Sequence, residues 1–235
     1  MNLILLFDED FVSDDVVRLD GRRLEHVTGV HRAAVGDALV VGRAGGSIGT
    51  GEVLSLAPLS LRVSFSAPPP PPLPLTLVLA LPRPKVLNRV IAGAASMGIK
   101  RIFLVNAWRV EKSYWKSPRL SPANLLEQSI LGLEQARDTI LPTIELRRLF
   151  APFLPELASL ASGSLALAAH PTGATTCPRA VAGPVTLAIG PEGGFIAEEV
   201  ASLERAGFTT VSFGSRILRV ETAVGWAVGR LFDPI

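Results

Sequence analysis

Residues 187–195 read LAIGPEGGF, and residues 211–223 read VSFGSRILRVETA. Both stretches begin as apolar β-type runs and break at glycine, the first into Gly190-Pro191-Glu192-Gly193-Gly194 and the second into Gly214-Ser215-Arg216. Glycine lets the backbone approach a ligand closely, and Glu198 and Glu199 favour a helix starting just after the first loop. A third strand-like run, 164–169, ends in His170-Pro171-Thr172-Gly173. If the three runs are parallel neighbours, their loops share the carboxyl edge of one sheet, where open α/β folds bind ligands. The spacing fits neither a Gly-x-Gly-x-x-Gly dinucleotide fingerprint nor a phosphate loop with its lysine. An ordinary glycine-rich turn has the same composition, so the loops alone leave both readings open.

Upstream of these loops the pattern alternates between strand and helix. Residues 75–81 form a continuous apolar run, as in a strand covered on both faces. Val86, Leu87, Val90, Ile91, Ala94 and Met97 then recur at helical spacing until Gly98 ends the helix. A strand is predicted at 101–105, and Ser121-Pro122 suits the N-cap and first position of a helix running to about Thr139. Strands at 164–169, 185–189 and 209–213, with helices at 197–206 and 221–232, complete an α/β domain with a mainly parallel sheet. The proline run at 68–74 fits neither a helix nor a central strand and reads as a stiff linker. Before it, short β-like runs at 38–41, 51–56 and 61–65 suggest a small barrel. The expected organisation is therefore a β domain over 1–67, a linker over 68–74 and the α/β domain over 75–235.

Composition narrows the function class. No apolar stretch reaches the roughly 20 residues of a membrane span, and the start lacks the basic region of a signal peptide, so a cytoplasmic protein without membrane contact is expected. Cys177 is the one cysteine, which leaves no internal disulfide and makes metal-free chemistry the default. The net charge of +2 hides a strong asymmetry: residues 83–119 carry +8, while the segments on either side carry −3 each. With Trp108, Tyr114 and Trp115 inside it, the basic segment suits a phosphate-binding surface with stacking side chains. A solvated mixed surface would give the same count.

Taken whole, the paired motifs resemble the signature of the RsmE family of 16S rRNA uridine N3-methyltransferases, a SPOUT-class family. The resemblance runs along nearly the whole chain. Arg23, His26, Val30, Arg32, Gly36 and Asp37 are similar to the family's N-terminal pattern, and Met97-Gly98-Ile99-Lys100-Arg101-Ile102 resembles a further segment. Leu218-Arg219-Val220-Glu221-Thr222-Ala223 stands where ribose 2′-O-methyltransferases of the class usually carry an Asn-Val-Ser motif, which argues for a base nitrogen as target. Val220 and Ile196 depart from the residues common in the family, and Glu134-Gln135-Ala136-Arg137-Asp138 follows its "EQSGR" only loosely.

The resemblance implies a PUA-like N-terminal domain, a trefoil-knotted methyltransferase domain and a homodimer acting on 16S rRNA in the small ribosomal subunit. It implies S-adenosylmethionine held by Leu167, His170, Ile189, Gly190, Glu192, Gly194, Phe213, Gly214, Ile217 and Leu218. Arg219 would stabilise charge on the uracil, and Glu192, Glu221 or His170 would accept the N3 proton, an Arg219–Glu221 salt bridge being the structural alternative. Arg23, His26, Arg32, Arg109, Lys112, Lys116 and Arg119 are the expected RNA contacts. A noncatalytic RNA-binding or ribosome-assembly factor, and a SPOUT enzyme acting at another RNA position, remain as alternatives. Cys177 is assigned no role, since attack by N3 needs no covalent adduct and a lone cysteine usually packs as a small apolar group.

Overall fold

The structure, a computed structural model, describes residues 2–173 and 175–233. By packing, the chain divides into one unit of Met1–Pro71 with Ser129–Leu141 and a second of Pro72–Gln128 with Pro142–Ile235. Assigning the whole of 75–235 to one domain therefore misses 129–141, a piece of the first unit that lies far along the chain.

In the first unit, β1 (Ile4–Leu6), β2 (Val16–Leu19), β3 (Ala38–Arg43), β4 (Ile48–Leu56) and β5 (Leu59–Ala67) form a sheet in the order β1-β3-β4-β5-β2. Only β1 and β3 are parallel. Along β5, Leu59, Leu61 and Val63 are buried while Arg62 and Ser64 are exposed, the alternation that turns one face of a pleated strand to the core. A short helix α1 (Gly21–Glu25) carries Arg23, whose guanidinium grips both carboxylate oxygens of Asp10 at 2.6 Å. Glu134, from the late segment, is nearly fully buried, and its backbone oxygen accepts from the amides of Asn2 and Leu3. Burial raises its carboxyl pKa, while Arg22 at 2.8 Å pulls in the opposite direction.

The second unit is a seven-stranded sheet in which every pairing is parallel. Its strands are β6 (Leu73–Ala80), β7 (Ile99–Val105), β8 (Thr143–Arg147), β9 (Leu165–Ala169), β10 (Thr175–Thr176), β11 (Val185–Ile189) and β12 (Thr209–Ser212), in the order β10-β12-β9-β11-β6-β7-β8. The helices are α2 (Pro84–Ser96), α3 (Pro122–Ala136) as far as Gln128, α4 (Phe150–Ala161), α5 (Ala197–Arg205) and α6 (Val220–Leu231). One register row crosses six strands through Thr209, Leu167, Leu187, Leu77, Ile102 and Ile144. All of β11 is buried, as a strand covered on both faces requires.

Several boundaries differ from the sequence reading for physical reasons. Leu73 and Pro74, placed in the linker, open strand β6; the β6–β7 register skips between Leu73 and Thr76, and that irregularity accommodates a residue with no amide to donate. Strand β1, three residues long, is too short to show a period, and β2 and β8 carry charged residues, Arg18 in one and Glu145 and Arg147 in the other, that interrupt an apolar run. Helix α4 was hidden by Pro152 and Pro155, and a proline tolerated inside a helix looks like a break in the sequence. Helix α3 stops before Thr139 because Arg137 adopts a left-handed conformation, φ 55°.

Cys177 is buried beside α6, and its carbonyl oxygen accepts from Arg230 Nε at 3.0 Å. Burial pushes the thiol pKa up to about 11, with the nearby Arg230 charge opposing. A raised thiol pKa keeps the protonated, unreactive form dominant at neutral and mildly alkaline pH. We expect a maleimide at pH 7.5 to label the native protein at least about tenfold more slowly than the urea-unfolded chain, because both thiolate fraction and access fall on burial. Equal rates would place Cys177 at the surface.

Candidate active site

The register row fixes where the three loops emerge. Ile189 at the end of β11 pairs with Ala169 at the end of β9, and Ala169 pairs with Val211 of β12, so the chain leaves all three strands at one edge. There the loops enclose a cavity of about 560 Å³. The first loop contributes His170 and Pro171; the second Gly190, Pro191, Glu192 and Gly194; the third Phe213, Gly214, Arg216, Ile217, Leu218 and Arg219. Val220, Glu221 and Ala223 of α6 form one wall, and Arg83 before α2, with Val86 and Arg89 on it, forms another.

Two glycines have backbone reasons to be here. A Cβ on Gly190 would come within 2.9 Å of the Phe195 amide nitrogen, so any side chain would push the second loop open. Gly214 sits at φ 113°, a region that residues with a side chain rarely adopt. The apolar wall is shaped by Phe213, whose ring stacks on Trp226 with centroids 4.6 Å apart. Ile217 stands at the mouth, 83% exposed. An apolar wall facing backbone amides and carbonyls suits a flat heteroaromatic ring.

The charged residues are arranged differently from the sequence expectation. Glu221 pairs with Arg89 of α2 at 3.1 Å rather than with Arg219. Among the described residues Arg219 makes no ion pair, and it is exposed at the N-cap of α6. Glu192 accepts from the Arg83 amide at 3.0 Å through one carboxylate oxygen. His170 shares a 2.8 Å hydrogen bond with the Thr172 hydroxyl. The lining thus carries Arg83, Arg89, Arg216 and Arg219 against Glu192 and Glu221.

Of the residues expected to hold the cofactor, all but one line the cavity. Leu167 is 2% exposed in the core beneath it, in the row with Leu187 and Leu77. Sequence reasoning missed Arg83, Val86 and Arg89, because nothing in Pro82-Arg83-Pro84 reveals that α2 starts beside loops a hundred residues away. It also missed Glu199. That buried carboxylate accepts from the Ile196 amide at 3.0 Å and from the Trp108 amide at 2.7 Å, tying the start of α5 to the loop after β7. Among the described residues no group of His, Cys, Asp and Glu is placed to hold a metal.

The expected RNA contacts fall in both units. In the first, Arg23 is held by Asp10, the His26 and His31 rings meet edge to face at 4.8 Å, and Arg32 is exposed with φ 52°. In the second, Arg109 donates to the Gly193 carbonyl, Lys112 and Lys116 are exposed, and Arg119 is half-buried. Arg23 and Arg109 thus have structural partners that the sequence did not show.

The family model described as "RNA methyltransferase domain" matches residues 69–231. A curated relative, ribosomal RNA small subunit methyltransferase E of Treponema pallidum (strain Nichols), is 33% identical over 147 residues, or 60% of this chain. That match spans 55% of the relative's length. Among solved structures, ribosomal RNA small subunit methyltransferase E from Neisseria gonorrhoeae bound to S-adenosyl methionine superposes with a TM-score of 0.76 at 22% identity. It covers 97% of this chain and 95% of that one. A Legionella pneumophila protein in complex with bound cofactor SAM gives 0.77 at 23% identity, with the same coverage. The expected architecture, a small β domain followed by a mainly parallel α/β domain, is borne out and is the fold of these solved structures.

Glu199 supplies a test of how the site is held. Replacing it with alanine strips two part-buried backbone amides of their charged acceptor, at a cost of about 1–3 kcal/mol in folding stability. Urea denaturation should show that loss for E199A and almost none for E198A, the exposed neighbour. Equal midpoints for the two variants would remove Glu199 from the account.

Proposed function

The chain belongs to the RNA methyltransferase domain family, and from that premise we propose that it transfers a methyl group from S-adenosylmethionine to ribosomal RNA, at N3 of a uridine in the 16S rRNA of the small subunit. The observation that carries this reading is the cavity itself: three consecutive loops on one sheet edge enclose an apolar-walled space whose rim holds Arg219 without an ion-pair partner among the described residues. The residues present fit the cofactor. Ile189, Phe213 and Leu218 offer an apolar surface for the adenine, and the absence of a side chain at Gly190 lets the second loop close on its own backbone at Gly194 and Phe195, which shapes the cavity edge. When bound, S-adenosylmethionine supplies a methyl group made electrophilic by its sulfonium.

The chain's own residues then position the acceptor and manage its proton. A uridine N3 is an imide nitrogen that carries a proton at neutral pH, and it becomes nucleophilic as the proton leaves. The Arg219 guanidinium, which pairs with no carboxylate among the described residues, stabilises the negative charge that develops on the ring oxygens. Glu192 takes the proton through its second carboxylate oxygen, which has no partner among the described residues. Glu221 is less suited because Arg89 neutralises it, and His170 because its Nδ1 is engaged by Thr172. A homodimer working on small-subunit rRNA in the cytoplasm completes the proposal.

Arg219 provides the test. Replacing it with methionine removes an interaction that is stronger in the transition state than in the ground state, so the single-turnover rate should fall about a hundred- to a thousandfold. Melting temperature and S-adenosylmethionine affinity should hardly change, since the side chain is exposed and makes no ion pair among the described residues. A rate within about threefold of wild type, far short of a lost charge-stabilising donor, would overturn the assignment.

A further inference from the structure

The basic segment carries four aromatic side chains, Phe103, Trp108, Tyr114 and Trp115; Phe103 is fully buried in β7, and the structure separates the other three. Trp115 is anchored: its Nε1 donates to Asn106 Oδ1 at 2.8 Å, and the Arg148 guanidinium lies over its ring at 5.2 Å. Tyr114 packs against the core of the second unit. Trp108 does neither. It is 79% exposed, which leaves the largest apolar side chain type in water at the carboxyl end of β7. A lone exposed leucine needs no explanation, but an exposed tryptophan on a fixed backbone asks for a ligand.

The backbone beneath it is fixed. The Trp108 amide donates to the buried Glu199 carboxylate at 2.7 Å. The next residue, Arg109, donates its guanidinium to the Gly193 carbonyl, in the loop that lines the cavity with Gly190, Glu192 and Gly194. Two contacts therefore hold the Trp108 backbone beside the second cavity loop. Lys112 and Lys116, both exposed, follow in the same segment, and 83–119 carries +8. A rigidly mounted, exposed indole in a segment of strong net positive charge has the chemistry to receive a flat, uncharged ring attached to a polyanion, which is an unpaired base of a nucleic acid strand.

We propose that Trp108 is a stacking platform for an unpaired RNA base flanking the nucleotide presented to the cavity. This rests on the reading of the protein as an RNA methyltransferase and adds a positioning residue to it. Trp108 touches neither cofactor nor reacting atom. By holding a neighbouring base it sets where the strand enters, and Lys112 and Lys116 contact the phosphates on either side. Stacking contributes through surface contact rather than charge, so its loss should leave the salt dependence of binding intact, whereas loss of a lysine should lower the slope.

The test uses the full chain and a single-stranded oligouridylate of about ten nucleotides, sized to span a typical single-strand site. Titration should quench tryptophan emission in wild type and quench it far less in W108F, which keeps Trp115 and Trp226. W108A should bind the oligonucleotide about five- to a hundredfold more weakly, with an unchanged slope against salt. With the RNA substrate, kcat/KM should fall while the single-turnover rate at saturating RNA stays near wild type. W108F, retaining a ring, should recover most of the affinity. Equal RNA affinity in wild type and W108A overturns the platform, as does a reduced salt slope in W108A. Emission that shifts with protein concentration in the absence of RNA in wild type but not in W108F also overturns it and assigns the ring to a protein contact. S-adenosylmethionine binding by calorimetry decides the methyltransferase reading separately, because Trp108 does not line the cavity.

Discussion

Everything at the site depends on one register. Because Thr209, Leu167, Leu187, Leu77, Ile102 and Ile144 lie in a single row across six parallel strands, those strands reach the same edge together. A one-residue slip of β11 would turn its buried side chains to the opposite face and carry the Gly190 loop with it. The register is protected by burial on both faces. Leu77 and Leu187 are fully buried, and substituting either with alanine would cost about 2–5 kcal/mol. The loops inherit their precision from this core, which frees them to be rich in glycine and to follow ligand shape rather than packing.

On that edge, the charge arrangement follows from which elements begin there. Helix α2 brings Arg83 and Arg89, and the second and third loops bring Glu192, Arg216 and Arg219. Arg89 takes Glu221 and the Arg83 amide takes Glu192, which leaves Arg219 without an ion pair among the described residues. The loop after β7 is clamped to the second cavity loop by Glu199 and by the contact of Arg109 with Gly193. The basic segment and the cavity are thereby mechanically joined within one unit.

Much of this was legible in the sequence, and the failures are as informative. Apolar runs and helical spacing located β6, β7, β9, β11, β12 and the helices α2, α3, α5 and α6, since strong periodicity reflects burial on defined faces. Gly190 and Gly214 were legible because a glycine at the end of a strand has few other reasons to be there. What escaped was long-range. The Arg89–Glu221 pair joins residues 132 positions apart, and Glu199 looked like an acid favouring a helix start before it proved to be a buried bridge between two loops. Leu167 was misread as a cavity residue because core and lining side chains share a composition. Ser129–Leu141 was given to the wrong unit because no local pattern records which core a helix end joins.

The central claim is that this cavity takes S-adenosylmethionine, with Gly190 as the point where backbone must stay bare. Calorimetric titration of the cofactor into wild type and G190A tests it most directly. An added Cβ would meet the Phe195 amide at 2.9 Å and displace the second loop. The account predicts one cofactor bound per chain in wild type and binding lost or severely weakened in a G190A protein that still melts cooperatively. Failure of wild type to bind, or equal affinity in the two proteins, would contradict it.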